Sequence, residues 1–181
     1  KKLSIKVDGK IFGINDEDVT LLDFLRSETG ITSVKDGCSP QGQCGCCTVL
    51  VDGQARVSCV TPVRRAAGRE ITTLQGLGDE IKNEWAEAFS QVGASQCGFC
   101  TPGIIMRFAA LQEGGEEVEI EKVKRSLHAH LCRCTGWQTI VEAWEKVGKS
   151  EGIVETKEAS QRASIEGRST QKIGLDIVLG K

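Results

Sequence analysis

Nine cysteines in a chain of 181 residues, gathered in two groups, constrain this sequence more than any other feature. The first group is Cys38, Cys44, Cys46, Cys47 and Cys59, and the second is Cys97, Cys100, Cys132 and Cys134. An odd count suits disulfide pairing poorly, whereas thiolates bind soft metals tightly and stay free to do so in a reducing compartment. Each group holds at least four sulfurs, enough to close a metal centre. Two small metal-binding modules are expected, and an apolar content of 39% can supply two small cores as well as one medium one.

Other classes of function find little support. The net charge is -2, and Lys and Arg are scattered along the chain, so there is no electrostatic footprint for nucleic acid. No run of about 18 apolar residues could span a membrane, and the amino end (KKLSIKVDGKIFGIN) alternates like a strand rather than forming the apolar core of an export signal. A cytoplasmic protein with no membrane segment is expected.

The hydrophobic period changes once along the chain. Residues 2–8 and 11–15 alternate and are joined by Gly9-Lys10, which predicts a β-hairpin. Thr20 precedes the stripe Leu21, Leu22, Phe24 and Leu25, as a helix N-cap would, and Gly30 is placed to close that helix. After the first cysteine loop, TVLVDG, Ala55 to Ser58 and Glu70 to Leu74 read as strands, completing an α+β unit over residues 1–76. From residue 77 to 149 the period becomes helical. Its stripes are Ile81, Trp85, Phe89 and Val92; Ile104, Ile105, Phe108 and Leu111; Val118, Val123 and Leu127; and Ile140, Val141, Trp144 and Val147. Four short helices, with Gly114-Gly115 turning between the middle two, must gain stability by packing as a bundle. Residues 150–181 lose this periodicity until IGLDIVLG and read as an extended tail or linker.

The stretch DGCSPQGQCGCCTVLVDG puts Cys38, Cys44 and Cys47 on one tight loop, with Cys59 arriving from the strand pair that follows. This is how a plant-type ferredoxin holds a [2Fe-2S] cluster. Gly37, Gly42 and Gly45 would permit positive φ, letting backbone N–H groups wrap an anionic centre. A structural zinc site usually takes its ligands as two separated pairs, so it fits this loop less well, and a set of buried free cysteines is the remaining reading. Cys46 is left over and reads as a small buried thiol, although it could displace Cys47 as a ligand.

QCGFCTPG and LCRCTGW each place two cysteines before a Thr and a helical stripe. Thr101 and Thr135 read as N-caps, with Pro102 at the first helical position, so two positive helix ends would face one anionic site. Zinc also suits this spacing, and Cys97 to Cys100 has the spacing of a redox dithiol, which would not need the second pair. His128 and His130 both precede a single cysteine pair, which favours surface or packing roles over Rieske-type ligation.

The succession of ferredoxin-like loop, QCGFCTPG and LCRCTGW over residues 3–148 resembles the iron-sulfur subunit of the xanthine oxidase family of molybdenum hydroxylases. The resemblance implies an N-terminal ferredoxin-like β-grasp domain followed by a four-helix bundle, each with one [2Fe-2S] cluster. Cys38, Cys44, Cys47 and Cys59 would then bind the cluster distant from molybdenum, and Cys97, Cys100, Cys132 and Cys134 the nearer one. Gln96 and Cys134 would approach the molybdopterin, carried by a molybdenum-binding large subunit or domain. Electrons from an aromatic heterocycle or aldehyde would pass through the bundle cluster and then the loop cluster toward FAD, with a flavin subunit as a further candidate partner. The substrate site itself would lie off this chain.

The sequence departs from the family pattern at several positions. Five residues rather than four separate Cys38 from Cys44, Cys46 replaces a common Ala, His130 stands where Asn is usual and Trp137 where Tyr is usual. SIEGRSTQKIGLDIVLGK is weakly similar to the segment that opens the molybdenum-binding chain, which fits either the front of a fused polypeptide or a docking strip. Two other classes remain open at this point, a free-standing ferredoxin-like carrier and a zinc-stabilised interaction module.

Overall fold

The alternation at the amino end becomes a β-hairpin in a computed structural model, which describes residues 3–113 and 118–147, Ile165 and residues 175–180. Strand β1 (Ser4–Val7) pairs antiparallel with β2 (Lys10–Gly13). The turn is Asp8-Gly9, one residue earlier than the alternation predicts. Both turn residues take positive φ, 47° and 81°, as a two-residue turn matching the strand twist requires. The Asp8 carboxylate then accepts from Thr73 N at 2.8 Å and from Thr73 Oγ1 at 2.7 Å, tying the hairpin to a distant part of the chain.

Helix α1 (Leu21–Ser27) starts where expected, with the Thr20 hydroxyl accepting from Asp23 N at 3.1 Å. Gly30 (φ 71°) reverses the chain so that Ile31 N–H returns to Leu25 O at 3.0 Å. Strands β3 (Thr48–Val51), β4 (Gln54–Val57) and β5 (Glu70–Thr72) complete a sheet ordered β2-β1-β5-β3-β4. Its centre is the parallel pair β1 and β5, and the other pairings are antiparallel.

Helices α2 (Asp79–Gln91), α3 (Thr101–Gln112), α4 (Ile120–Ser126) and α5 (Gln138–Lys146) carry the second half. Their stripes meet around Trp85, whose ring centroid lies 5.2 Å from that of Phe108 and 5.9 Å from that of Trp144. Ile81 opens the first stripe but stays 43% exposed and outside this core. The Gly114-Gly115 turn lies outside the described residues, as does most of the tail. Within that tail a short helix, α6 (Leu175–Val178), is present and Val178 is fully buried against the helical core.

Strand β3 explains how the two halves join. All four of its residues are buried, which alternation on a one-faced sheet would not give. Val49 and Val51 face the core formed with α1, Ile5, Val7 and Ile71, whereas Leu50 belongs to the core formed with Ile104, Ile105 and Phe108 of α3. Thus α3 covers the face of the sheet opposite α1. Among the described residues no helix is long and apolar enough to cross a membrane.

Candidate iron-sulfur sites

The β3–β4 hairpin brings the first set of thiols together. Its turn, Asp52-Gly53, has φ values of 49° and 78°, and its register pairs Thr48 with Val57. Cys47 precedes the first of these, and Cys59 follows the second within a 3₁₀ turn (Ser58–Val60), so both arrive at the open end of one hairpin. Ser58 fixes the junction, its N and Oγ donating to Cys47 O at 3.2 and 2.8 Å. Cys59 N–H points at Cys47 Sγ across 3.4 Å, and Gln41 N–H points at Cys38 Sγ across 3.4 Å. The Cys38 and Cys44 thiols lie within hydrogen-bonding reach of each other, as do those of Cys47 and Cys59. All four predicted ligands of the first set are therefore gathered.

Gly42 (φ 67°) and Gly45 (φ 69°) take the positive φ that wrapping requires, but Gly37 does not. Its role is space: a Cβ there would lie 3.0 Å from Cys44 Sγ and 3.2 Å from Cys46 Sγ. Phe99, from the second half, closes over the same glycine, with its ring 3.2 Å from that Cβ position.

The second set is built on two segments. Cys97 and Cys100 lie just before α3, and Cys132 and Cys134 lie before α5. Cys100 sits within hydrogen-bonding reach of Cys132, and Cys97 within reach of Cys134. The pairs differ in depth, since Cys100 is buried and Cys132 half-buried while Cys97 and Cys134 are exposed. Gln96 Nε2 donates to Cys134 O at 3.1 Å, so these two residues meet at the exposed end.

The expected capping differs in detail. Thr101 is already helical and its hydroxyl bonds Ser95 Oγ at 3.0 Å. Thr135 does not cap α5, because Gly136 (φ 68°) and Trp137 (φ 76°) both take positive φ and delay the helix to Gln138. Instead Thr135 Oγ1 lies 3.1 Å from Cys132 Sγ, a hydroxyl serving the thiol directly. Only α3 therefore begins immediately beside the cysteines.

Electrostatics separate the thiols within each set. Burial raises the Cys38 thiol, but N–H groups of Gln43, Cys44 and Gln41 more than offset it and bring it down to about 6. Burial pushes Cys59 up to about 12, and drives Cys44, Cys46 and Cys100 upward as well. Burial also raises Cys132, yet the Thr135 hydroxyl and backbone N–H groups bring it below its ordinary value. Crowded thiols that suppress one another's ionisation, beside backbone donors aimed at sulfur, suit a centre whose cations deprotonate them all.

The two sets adjoin. Leu131 N donates to Cys44 O at 2.9 Å, linking a residue of the first set to the neighbour of Cys132. Between them lies a cleft of about 380 Å³, bordered by Cys44, Cys46, Cys100, Cys132, Phe99 and Leu131. His128 is exposed, whereas His130 is buried between Arg107, whose Nε donates to its Nε2 at 3.4 Å, and the backbone of Gly45. Burial, with the Arg107 charge adding to it, lowers His130 to about 4, in keeping with a neutral packing residue. The Leu131 link and the close fit of His130 on Gly45 had no signal in the sequence.

Comparison with known proteins agrees with this geometry. Residues 5–71 match the 2Fe-2S iron-sulfur cluster binding domain, and residues 73–145 match the [2Fe-2S] binding domain. The nicotine 6-hydroxylase small subunit of Paenarthrobacter nicotinovorans is 41% identical over 143 residues, covering 78% of this chain and 86% of that protein. The xanthine dehydrogenase iron-sulfur-binding subunit of Escherichia coli O157:H7 is 44% identical over 138 residues, covering 75% and 86% respectively. The solved aldehyde oxidoreductase of Desulfovibrio gigas superposes with a TM-score of 0.76 at 29% identity, covering 99% of this chain but 21% of that one, so the likeness is to one part of a longer polypeptide. With both halves matched and the two relatives covered over most of their length, the chain belongs to the iron-sulfur, electron-transfer components of the xanthine oxidase family of molybdenum hydroxylases.

Proposed function

We propose that the chain carries two [2Fe-2S] clusters, one on Cys38, Cys44, Cys47 and Cys59 in a ferredoxin-like domain (residues 1–76), the other on Cys97, Cys100, Cys132 and Cys134 in a helical domain (residues 77–149), with residues 150–181 as a tail. The observation that carries this reading is the gathering of eight of the nine cysteines into two fourfold sets at the ends of a hairpin and beside a helix start. Bound there, each cluster would take up and release one electron. The chain's part is to supply thiolates, to aim backbone N–H groups at sulfur, and to hold the sets on either side of the Cys44–Leu131 hydrogen bond.

The exposed end formed by Gln96, Cys97 and Cys134 suits docking of a molybdopterin-bearing partner, whose electrons would enter there. They would leave by the first set, toward FAD on a flavin subunit or another acceptor. By analogy with the hydroxylases named above, the substrate would be an aromatic heterocycle or aldehyde, bound on the partner.

A zinc-stabilised module is the competing reading. Against it, the first set sits on one glycine-wrapped loop with backbone N–H groups aimed at Cys38 Sγ and Cys47 Sγ, whereas structural zinc usually takes its ligands as two separated pairs. EPR of the dithionite-reduced chain, with iron and sulfide quantitation, tests the proposal. Two distinguishable [2Fe-2S] signals and about four irons per chain are expected, and zinc in place of iron at either set would refute the assignment there.

A further inference from the structure

One buried sulfur is left over by the two proposed ligand sets. Cys46 is 4% exposed and held on several sides. Its carbonyl accepts from Lys35 N at 3.3 Å, and α3 lies against its backbone, a Cβ at Gly103 falling 3.0 Å from Cys46 C and Cα. Fixed in this way, its S–H donates to Cys44 O at 3.6 Å, the same carbonyl that accepts from Leu131 N at 2.9 Å. The two sulfurs also converge on Gly37, where a Cβ would lie 3.0 Å from Cys44 Sγ and 3.2 Å from Cys46 Sγ. Across the cleft stand Cys100 and Cys132.

We propose that Cys46 is a positioning residue whose S–H dipole, directed at Cys44, raises the reduction potential of the first centre. The inference rests on the reading that Cys38, Cys44, Cys47 and Cys59 hold a [2Fe-2S] cluster. Reduction adds one electron from the donor and neither forms nor breaks a bond. The Cys46 thiol also lies within hydrogen-bonding reach of the Cys44 thiol. The positive end of its S–H therefore stands beside a ligand sulfur and stabilises the extra negative charge, and hydrogen bonds to ligand sulfur are among the levers that set such potentials. Alanine at this position would keep the packing volume small but present no donor, whereas serine would present a stronger one.

The test is a dithionite titration followed by EPR on the full iron-loaded chain, comparing wild type with Cys46→Ala and Cys46→Ser. The first-centre signal is the one that survives in Cys100→Ser. Both Cys46 variants are expected to keep both signals. In Cys46→Ala the first-centre midpoint moves to lower potential, with a smaller movement in the second; in Cys46→Ser it returns to the wild-type value or above. An unmoved midpoint in Cys46→Ala, or the same downward shift in both variants, would overturn the proposal, because lost packing alone would not distinguish a donor from a methyl group. Loss of a signal in Cys46→Ala would make Cys46 a ligand and overturn it equally. A wild-type chain lacking two iron-sulfur signals would instead remove the cluster assignment on which the inference stands.

Discussion

Replacing Gly103 with Ala should loosen the joint between the two halves of the molecule. Gly103 lies in the first turn of α3, and a Cβ there would run into Gly45 O and lie 3.0 Å from Cys46 C and Cα. All three atoms are backbone, so no side chain can swing aside. Ordinary carbon contacts lie at about 3.5–4.0 Å, so α3 must back away from the loop by at least half an ångström. Overpacking costs about 1–3 kcal/mol, and a clash against fixed backbone belongs to the upper part of that range, about 2–3 kcal/mol. Alanine returns up to about 1 kcal/mol of helix propensity, which leaves a net loss of about 1–2 kcal/mol. For a chain of this size each kcal/mol lowers Tm by about 2–4 °C, so a fall of several degrees is expected in a thermal melt followed by circular dichroism. Gly78→Ala supplies the control, since Gly78 has a φ of -53° and nothing within 4 Å of its Cβ position. Gly78 is the N-cap of α2, so this change should cost no more than the exchange of a glycine cap for alanine, under about 1 kcal/mol. Because Cys100 immediately precedes α3, the retreat should also perturb the second-centre EPR signal. Equal stability of Gly103→Ala and Gly78→Ala, with both signals unchanged, would refute the close packing of α3 on the loop.

Two further outcomes are expected. Cys100→Ser should abolish one EPR signal and spare the other, since Cys100 lies within hydrogen-bonding reach of Cys132 in the proposed second set; loss of both signals, or of neither, would contradict the partition. Asp8→Ala removes the carboxylate that receives Thr73 N and Oγ1 and should cost about 1.5–3 kcal/mol in denaturant unfolding, the range for hydrogen bonds to a charged group. A loss under 0.5 kcal/mol would mean that the hairpin does not depend on this tie.

What could be read from the sequence was whatever local spacing encodes. The Thr20 cap, the strand pair after the first cysteine loop and the helical stripes depend on residues within a turn or two of one another, and each appears close to its expected place. Features that depend on distant partners were not legible. Gly37 reads as a positive-φ glycine, but its φ is ordinary and it is needed because two sulfurs and the Phe99 ring crowd it. Thr135 has every local mark of an N-cap and loses the role because two positive-φ residues follow, so that its hydroxyl accepts from Trp137 N at 3.4 Å and meets Cys132 Sγ instead. Gly103 carries no mark at all, since only the approach of a loop from the other half of the chain makes its missing side chain matter.

The joint between the halves bears directly on electron transfer. Were the two domains independent, each thiol set would sit at the surface of its own core and the distance between them would vary with the linker. Here β3 contributes alternate residues to both cores, α3 presses on the backbone of the first loop, and Leu131 N–H bonds the carbonyl of Cys44. Each contact fixes the separation of the sets by packing or hydrogen bonding rather than by chain connectivity. A loop held this tightly would lose little order on binding the proposed centre, and the cost of reorganising it on reduction would stay small. The same packing holds Cys46, whose carbonyl accepts from Lys35 N and whose backbone lies against α3, and so keeps the proposed donor at a constant place beside Cys44.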